Sequence, residues 1–533
     1  MLATTNKLAG SRVDSALNVL PTRQAGVCMH LTSLPGDFGI GEIGENALRF
    51  IDMLVTMGIS VWQFLPTGPI AYADSPYQSA SIYAGNPLLI DLAALRDAGL
   101  VSESELAVFA KLPQDTVDFG ELIPRKTQLL ARAGERFALS ATPAQRLARD
   151  EFVAAHDHAW LHDYALYEVL KSMHQQRAWR EWDRHYAARD PDALGTLEEA
   201  AGNQLDSIKS IQFIFFEQWR KLREYAASKG VRLMGDLPIY VALDSADAWS
   251  RPDLLCLRPD WTPTDFAGVP PDYFSADGQR WGNPLYRWDR HAADGYQWWI
   301  SRVRHAVSMV DLIRLDHFRG FEAYWAVPAK ADTARDGEWR PGPGADLFDA
   351  LRAALGSLPI VAEDLGVITP EVDALRERFG FPGMKVLQFM VGTEPFDAEC
   401  IPRDCVCYTG THDNDTTLGW YNNGLRKIHP PAKAQRVKAA VLRQTHGHAE
   451  TIHEDLIRLA FSTKAALAIA PMQDYLGLGS TARMNTPGTT NHNWRWRLQN
   501  EQITPHFCEW VRHMVTESGR GQSESVTMTA RGK

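Results

Sequence analysis

Eight short apolar runs, rich in β-branched residues, stop abruptly at polar or Gly/Pro punctuation, and this pattern constrains the fold more than anything else in the chain. They cover residues 26–31, 61–66, 231–236, 310–315, 358–363, 384–389, 405–410 and 466–471. Helical spacing follows several of them. At 43–57, Ala47, Phe50, Ile51, Leu54 and Val55 fall on one face, and similar stretches occupy 296–309, 369–379 and 432–444. Strand alternating with helix predicts a parallel sheet of the α/β class, and eight such units predict a closed (β/α)8 TIM barrel.

Two intervals are too long for simple crossovers. Residues 85–211 are rich in Ala, Leu, Arg and Glu and read as an inserted, mostly helical subdomain. Residues 244–290 are rich in Pro, Asp and Trp with little periodicity, and read as a long active-site loop over the barrel mouth. The catalytic barrel is expected over 25–515, between polar, disordered tails at 1–24 and 516–533.

The 65 acidic and 55 basic residues are interspersed, giving a formal net charge of −10 without a charged block. That excludes an electrostatic partner such as nucleic acid or an anionic membrane and favours a neutral substrate. No apolar run approaches the roughly 18–20 residues of a membrane span, and the N-terminus lacks a signal-like apolar segment. Six cysteines form no CxxC pair, as expected of reduced thiols in a cytoplasmic protein. The GIGEIG stretch at 39–44 keeps GxGxxG spacing, but loop residues separate it from the preceding strand and no acidic residue follows about 20 positions on, so no dinucleotide site is expected. An HxxxH pair, His158 and His162, lacks the glutamate of a zinc protease and reads as a solvated helix face. No metal or other cofactor is expected.

The chemistry sits where the runs end: Asp236, Asp316, Glu363 and the His412-Asp413 pair. One acidic residue after a strand is usually a helix cap. Four at the ends of four strands converge on the C-terminal rim of a barrel, where carboxylates raise each other's pKa. Cleavage of a glycosidic bond needs a carboxylate on one face of the sugar and a proton donor on the other, with no cofactor. Period-2 alternation puts Arg314 on the same side as Asp316, where a guanidinium favours the ionised carboxylate a nucleophile requires. Partial burial after an apolar run would raise Glu363 enough to hold a proton. The loop GTHDNDT at 410–416 is suited to gripping sugar hydroxyls, although an Asx-turn has the same composition. The 17 tryptophans serve packing in at least half of cases, and the rest offer flat faces for sugar rings.

These residues lie in segments that resemble the amylomaltases, also called 4-α-glucanotransferases or disproportionating enzymes, of the wider α-amylase clan. The matching segments run in order from residue 26 to 497 and include WQFLPTGP, DSPYQSASIYAGNPLLIDL, GVPPDYFSADGQRWGNPLYRW, IRLDHFRGF, VAEDLG, GTHDNDT and PMQDYLGLGSTARMNTPG. The resemblance implies a retaining disproportionation of α-1,4-glucans, with maltooligosaccharides and glucose as partners. In it Asp316 is the nucleophile, Glu363 the acid/base and Asp413 the transition-state stabiliser. Arg314 and His412 match residues that hold the nucleophile and the cleaved sugar. Asp236, Gln279, Trp281, Asn283, Tyr77, Ser75 and Asn485 match positions lining the donor and acceptor subsites. Within 269–288, Trp281 is expected to stack on sugar and Gln279 and Asn283 to hold hydroxyls, shielding the intermediate from water. No C-terminal β-sandwich is expected. The chain departs from the family at IAYADSPY, where TGYGDSPY is commoner, and at TTNHNW, which lacks a Gly before Asn-Trp. A glucan hydrolase of the amylase type is the nearest alternative, and a non-catalytic glucan-binding protein a more distant one.

Overall fold

The computed structural model describes residues 19–71, 73–271, 275–393 and 396–521. Its twelve strands are β1 (Gln24–Cys28), β2 (Val61–Gln63), β3 (Arg232–Leu237), β4 (Asp265–Val269), β5 (Gln279–Pro284), β6 (Leu312–Leu315), β7 (Ala323–Pro328), β8 (Glu338–Pro341), β9 (Ile360–Ala362), β10 (Gly383–Val386), β11 (Cys405–Tyr408) and β12 (Leu467–Pro471). Eight of them, one from each predicted run, form an all-parallel sheet in the order β10-β11-β12-β1-β2-β3-β6-β9. The Ala362 N–H donates to Pro382 O (2.8 Å), which draws β9 against the start of β10 and closes the ring.

Alternation along each strand builds the barrel. Leu312 and Val361 point inward to an apolar plug with Met234, Val406 and Ile469, while Ile313, Ile360 and Ala362 face the surrounding helices. The interior is tight at β1, where a Cβ on Gly26 would stand 2.8 Å from Ile469 Cγ1. Helices Glu45–Thr56, Gln297–Met309, Pro370–Phe379 and Pro431–Thr445 fall where their spacing predicted them.

The segment expected as a helical insertion holds helices Phe119–Ser140, Pro143–His156 and His162–Met173, the second opened by a Thr142/Gln145 capping box. Its end differs from the expected 211. Helix Pro191–Ser228, kinked at Ala201, runs through that position and on into the crossover before β3. A second core of Trp160, Tyr167, Trp179, Trp182 and Trp249 holds the insertion together. Nine of the 17 tryptophans are buried, Trp62, Trp249 and Trp299 among them, so packing accounts for the larger share of this residue. A buried Lys126–Glu42 ion pair pins helix Phe119–Ser140 to the barrel, with burial pushing the Glu42 carboxyl up to about 7 against the pull of Lys126.

Two expectations are corrected. The interval 244–290 is not an irregular loop: β4 and β5 lie in it and join β7 and β8 in a four-stranded antiparallel sheet of order β5-β4-β7-β8. Gly268, Gly282 and Pro284 interrupt these short strands and erase their period-2 signature. The termini also pack further than expected. Leu20 is buried in the barrel plug, and Arg520, 1% exposed, donates to the carbonyls of Phe461, Gln24 and Thr463. Residues 1–18 and 522–533, where the remaining tail expectations fall, lie outside the described residues. Among the described residues, no helix is long and apolar enough to cross a membrane.

Candidate active site

The inward register of β3 and β6 brings three charged groups together on the C-terminal rim. Arg314 Nη1 donates to both oxygens of Asp236 (2.9 and 2.8 Å) and to Asp316 Oδ1 (2.8 Å). The guanidinium and Asp236 are buried, whereas the Asp316 side chain is 25% exposed and is the member of the trio open to a substrate. Buried charge is tolerable only when paired, and removing Arg314 would leave two adjacent carboxylates at a cost of roughly 3–5 kcal/mol. Burial raises the Asp236 carboxyl, Arg314 opposes the rise and Asp316 adds to it.

Glu363 follows β9 in the inward register of Val361 and is tied to the turn after Asp316. The His317 N–H donates to its Oε2 (2.8 Å) and the Leu365 N–H to its Oε1 (2.9 Å). In return the Phe318 N–H donates to Glu363 O and the Glu363 N–H to Leu315 O, both at 3.0 Å. The two carboxyl groups are thereby held on one rigid corner. Burial pushes Glu363 up to about 7, with Asp316 adding to the rise and Arg314 and the two amides opposing it.

The other wall comes from two loops. In residues 70–79, Ile70 pairs with Ser79 and the Ala71 N–H donates to Gln78 O (3.0 Å). This hairpin presents Tyr77, whose hydroxyl donates to Asp236 Oδ2 (2.9 Å) and whose ring stacks on His412 at 5.2 Å and 19°. Ser75 Oγ accepts the Tyr77 N–H (3.3 Å) and so shapes this turn. After β11, His412 is buried, and burial lowers its imidazole pKa, which keeps the ring neutral near pH 7. Asp413 is exposed, accepts from Asn485 Nδ2 (2.6 Å) at Oδ1, and lies 3.5 Å from His412 Nε2. Tyr77, His412, Asp413 and Asn485 thus form one continuous surface beside Asp236.

On the far side, β5 carries Trp281, half-buried, with its indole N–H donating to Gln279 Oε1 (3.1 Å). Its ring meets His317 edge-on at 5.0 Å and 89°. Asn283 departs from expectation: it is 5% exposed, its amide donates to Val241 O (2.8 Å), and its carbonyl accepts from Gln78 (3.0 Å). Both ends are engaged by protein, so it ties β5 to the hairpin of Tyr77 and supports the wall.

The sequence reading missed His317, Gln78 and Trp494. His317 follows Asp316 with φ 49°, a left-handed turn that re-aims its side chain away from the strand's alternation, and its buried Nε2 has no partner among the described residues. Trp494, at φ 66°, packs beside Tyr77 and His412 at 5.9 and 6.0 Å. Only adjacency to Asp316 and a place in the TTNHNW segment hinted at either.

Among the described residues, no group of three or more His, Cys, Asp or Glu is arranged to hold a metal ion. The site is therefore a carboxylate cluster organised by one arginine, with a buried and an exposed carboxyl on a common corner. The family model described as 4-alpha-glucanotransferase matches residues 29–504. The chain belongs to the 4-alpha-glucanotransferase family. Similar proteins include a 4-alpha-glucanotransferase from a Synechocystis species, 45% identical over 94% of this chain and 99% of that one. Another, from Thermus thermophilus, is 44% identical over 93% and 99%. An amylomaltase from Streptococcus agalactiae, solved in complex with acarbose, superposes with a TM-score of 0.88 at 36% identity, over 94% of this chain and 100% of that one. The amylomaltase of Corynebacterium glutamicum, at 19% identity and a TM-score of 0.76, shares the fold.

Proposed function

We propose that the protein transfers a segment of an α-1,4-glucan to the 4-hydroxyl of another glucan, a maltooligosaccharide or glucose, by a retaining double displacement. The observation that carries this reading is the Asp316–Glu363 corner: one carboxylate is partly exposed and bonded to a guanidinium, and its neighbour is buried and raised. A raised, buried carboxyl that can hold a proton, beside a carboxylate bonded to a guanidinium, is the acid and nucleophile pair this chemistry requires.

In the first step Asp316 Oδ attacks the anomeric carbon as the C1–O bond breaks, and the leaving oxygen takes the Glu363 proton. In the second, the acceptor 4-hydroxyl gives its proton to Glu363 and displaces Asp316, restoring the original configuration. Arg314 holds Asp316 in line against Asp236. Tyr77 and neutral His412 form a stacked floor for the cleaved sugar, and Asp413 and Asn485 accept and donate to its hydroxyls. Transfer wins over hydrolysis when the glycosyl-enzyme is shielded and the acceptor is bound and aligned. The sheet strand carrying Gln279 and Trp281 supplies that acceptor wall, with His317 at its base.

A pH dependence follows from Glu363. The acid must be protonated when the donor is cleaved, and its pKa is raised, so the working form is present at low pH and lost as pH rises through about 7. The expected profile of kcat/KM for a maltooligosaccharide donor therefore falls on the alkaline side of about 7. A profile flat to pH 9 would remove Glu363 from the acid role. Transfer itself is tested by product analysis from a single pure maltooligosaccharide.

A further inference from the structure

Beside His412 lies a small crevice of about 20 Å³, between the turn that follows β1 and the loop that follows β11. Polar groups of His30, Thr411, His412, Asn414, Gln473 and Arg483 line it among apolar side chains such as Met29 and Leu65. His30 is 5% exposed. Its Nδ1 is buried and has no partner among the described residues, and Thr32 Oγ1 beside it is in the same condition. Burial and the nearby His412 lower the His30 imidazole pKa to about 3, so a second charge is not added behind the site. A crevice of this size with an unpartnered buried nitrogen and several polar groups on its walls has room for an ordered water, which makes two to four hydrogen bonds at such sites.

What the Asp413 contact at Nε2 leaves open is Nδ1, the other ring nitrogen of His412. Its backbone is fixed through the Asn485 N–H donated to His412 O (3.2 Å), and its ring by the Tyr77 stack, but neither contact selects which ring nitrogen carries the proton. Nε2 is turned toward Asp413. Asp413 favours the proton on Nε2, and a donor to Nδ1 on the other side would lock the ring in that tautomer.

We infer that His30 is a positioning residue: through water held in this crevice it fixes the neutral tautomer of His412 that carries its proton on Nε2. Because it lies in the turn after β1, it links the first barrel strand to the sugar-holding loop after β11. The inference rests on the reading of His412 as a group that holds the cleaved sugar.

The test is a double-mutant cycle on the full chain. His30→Phe fills similar space without a ring nitrogen and should lower kcat for maltooligosaccharide transfer about tenfold, since small misplacements of an aligned group cost rates of this order. His30→Asn, which returns a polar atom near the Nδ1 position, should recover activity to within about threefold of wild type. On a His412→Ala background, His30→Phe should add no more than about a twofold loss, because the group it acts through is gone. A tenfold loss on both backgrounds would overturn the inference, as would His30→Phe with wild-type kcat or His30→Asn as impaired as His30→Phe. If His412→Ala itself retains full activity, the reading of the sugar-holding surface fails instead, which separates the two.

Discussion

Replacing Asp316 by Asn should lower kcat by at least about three decades while leaving the fold in place. An amide of the same shape cannot attack the anomeric carbon, so the covalent route is closed. Stability should change little because Arg314 keeps its two bonds to Asp236 and loses charge complementarity only at the partly exposed Asp316. Kinetics with a maltooligosaccharide and a thermal melt on the same preparation check both halves. Activity within about tenfold of wild type would remove Asp316 from the nucleophile role.

Glu363→Gln should also lose several decades on ordinary glucans, with a second signature that separates it from Asp316→Asn. A donor whose leaving group needs no proton, such as an α-glycosyl fluoride, should still form the glycosyl-enzyme on Glu363→Gln and not on Asp316→Asn. The structure adds a complication with a definite sign. Both Glu363 oxygens accept backbone N–H groups, from His317 and Leu365, so an amide nitrogen at either position faces a donor. That clash costs about 1–3 kcal/mol, and the melting temperature of Glu363→Gln should fall accordingly. The ratio of fluoride to maltooligosaccharide turnover on one folded sample is unaffected by that loss and is the readout to use. Equal impairment on both donors would mean Glu363 is not the proton donor.

The barrel was legible because its parallel strands are buried on both faces and so read as continuous apolar runs with clear stops. The same logic exposed the site, since Asp316 and Glu363 directly follow β6 and β9 and Asp236 lies in β3. What alternation cannot report is a residue that leaves the strand's geometry. His317 turns through a left-handed φ of 49°, which places its ring edge-on to Trp281. The accessory sheet was hidden for a related reason: β4 and β5 are five and six residues long with glycine inside, and β4 takes its second partner, β7, from far along the chain, Gly268 standing opposite Trp325. Asn283 shows the opposite error. Its place in GQRWGNPLY reads as a ligand position, but the polarity of an amide serves a buried tie to Val241 and Gln78 equally well, and only burial distinguishes the two. Ser75 is likewise spent partly on its own turn.

The central claim is that the glycosyl group on Asp316 passes to a sugar hydroxyl in preference to water. Incubation with pure maltotriose, followed by chromatography of the products and a parallel count of reducing ends, tests it most directly. The account predicts glucose together with a ladder of longer maltooligosaccharides, while the total of reducing ends stays constant, because each bond broken is matched by one formed. A steady rise in reducing ends with no product longer than maltotriose would show that water resolves the intermediate, and would contradict it.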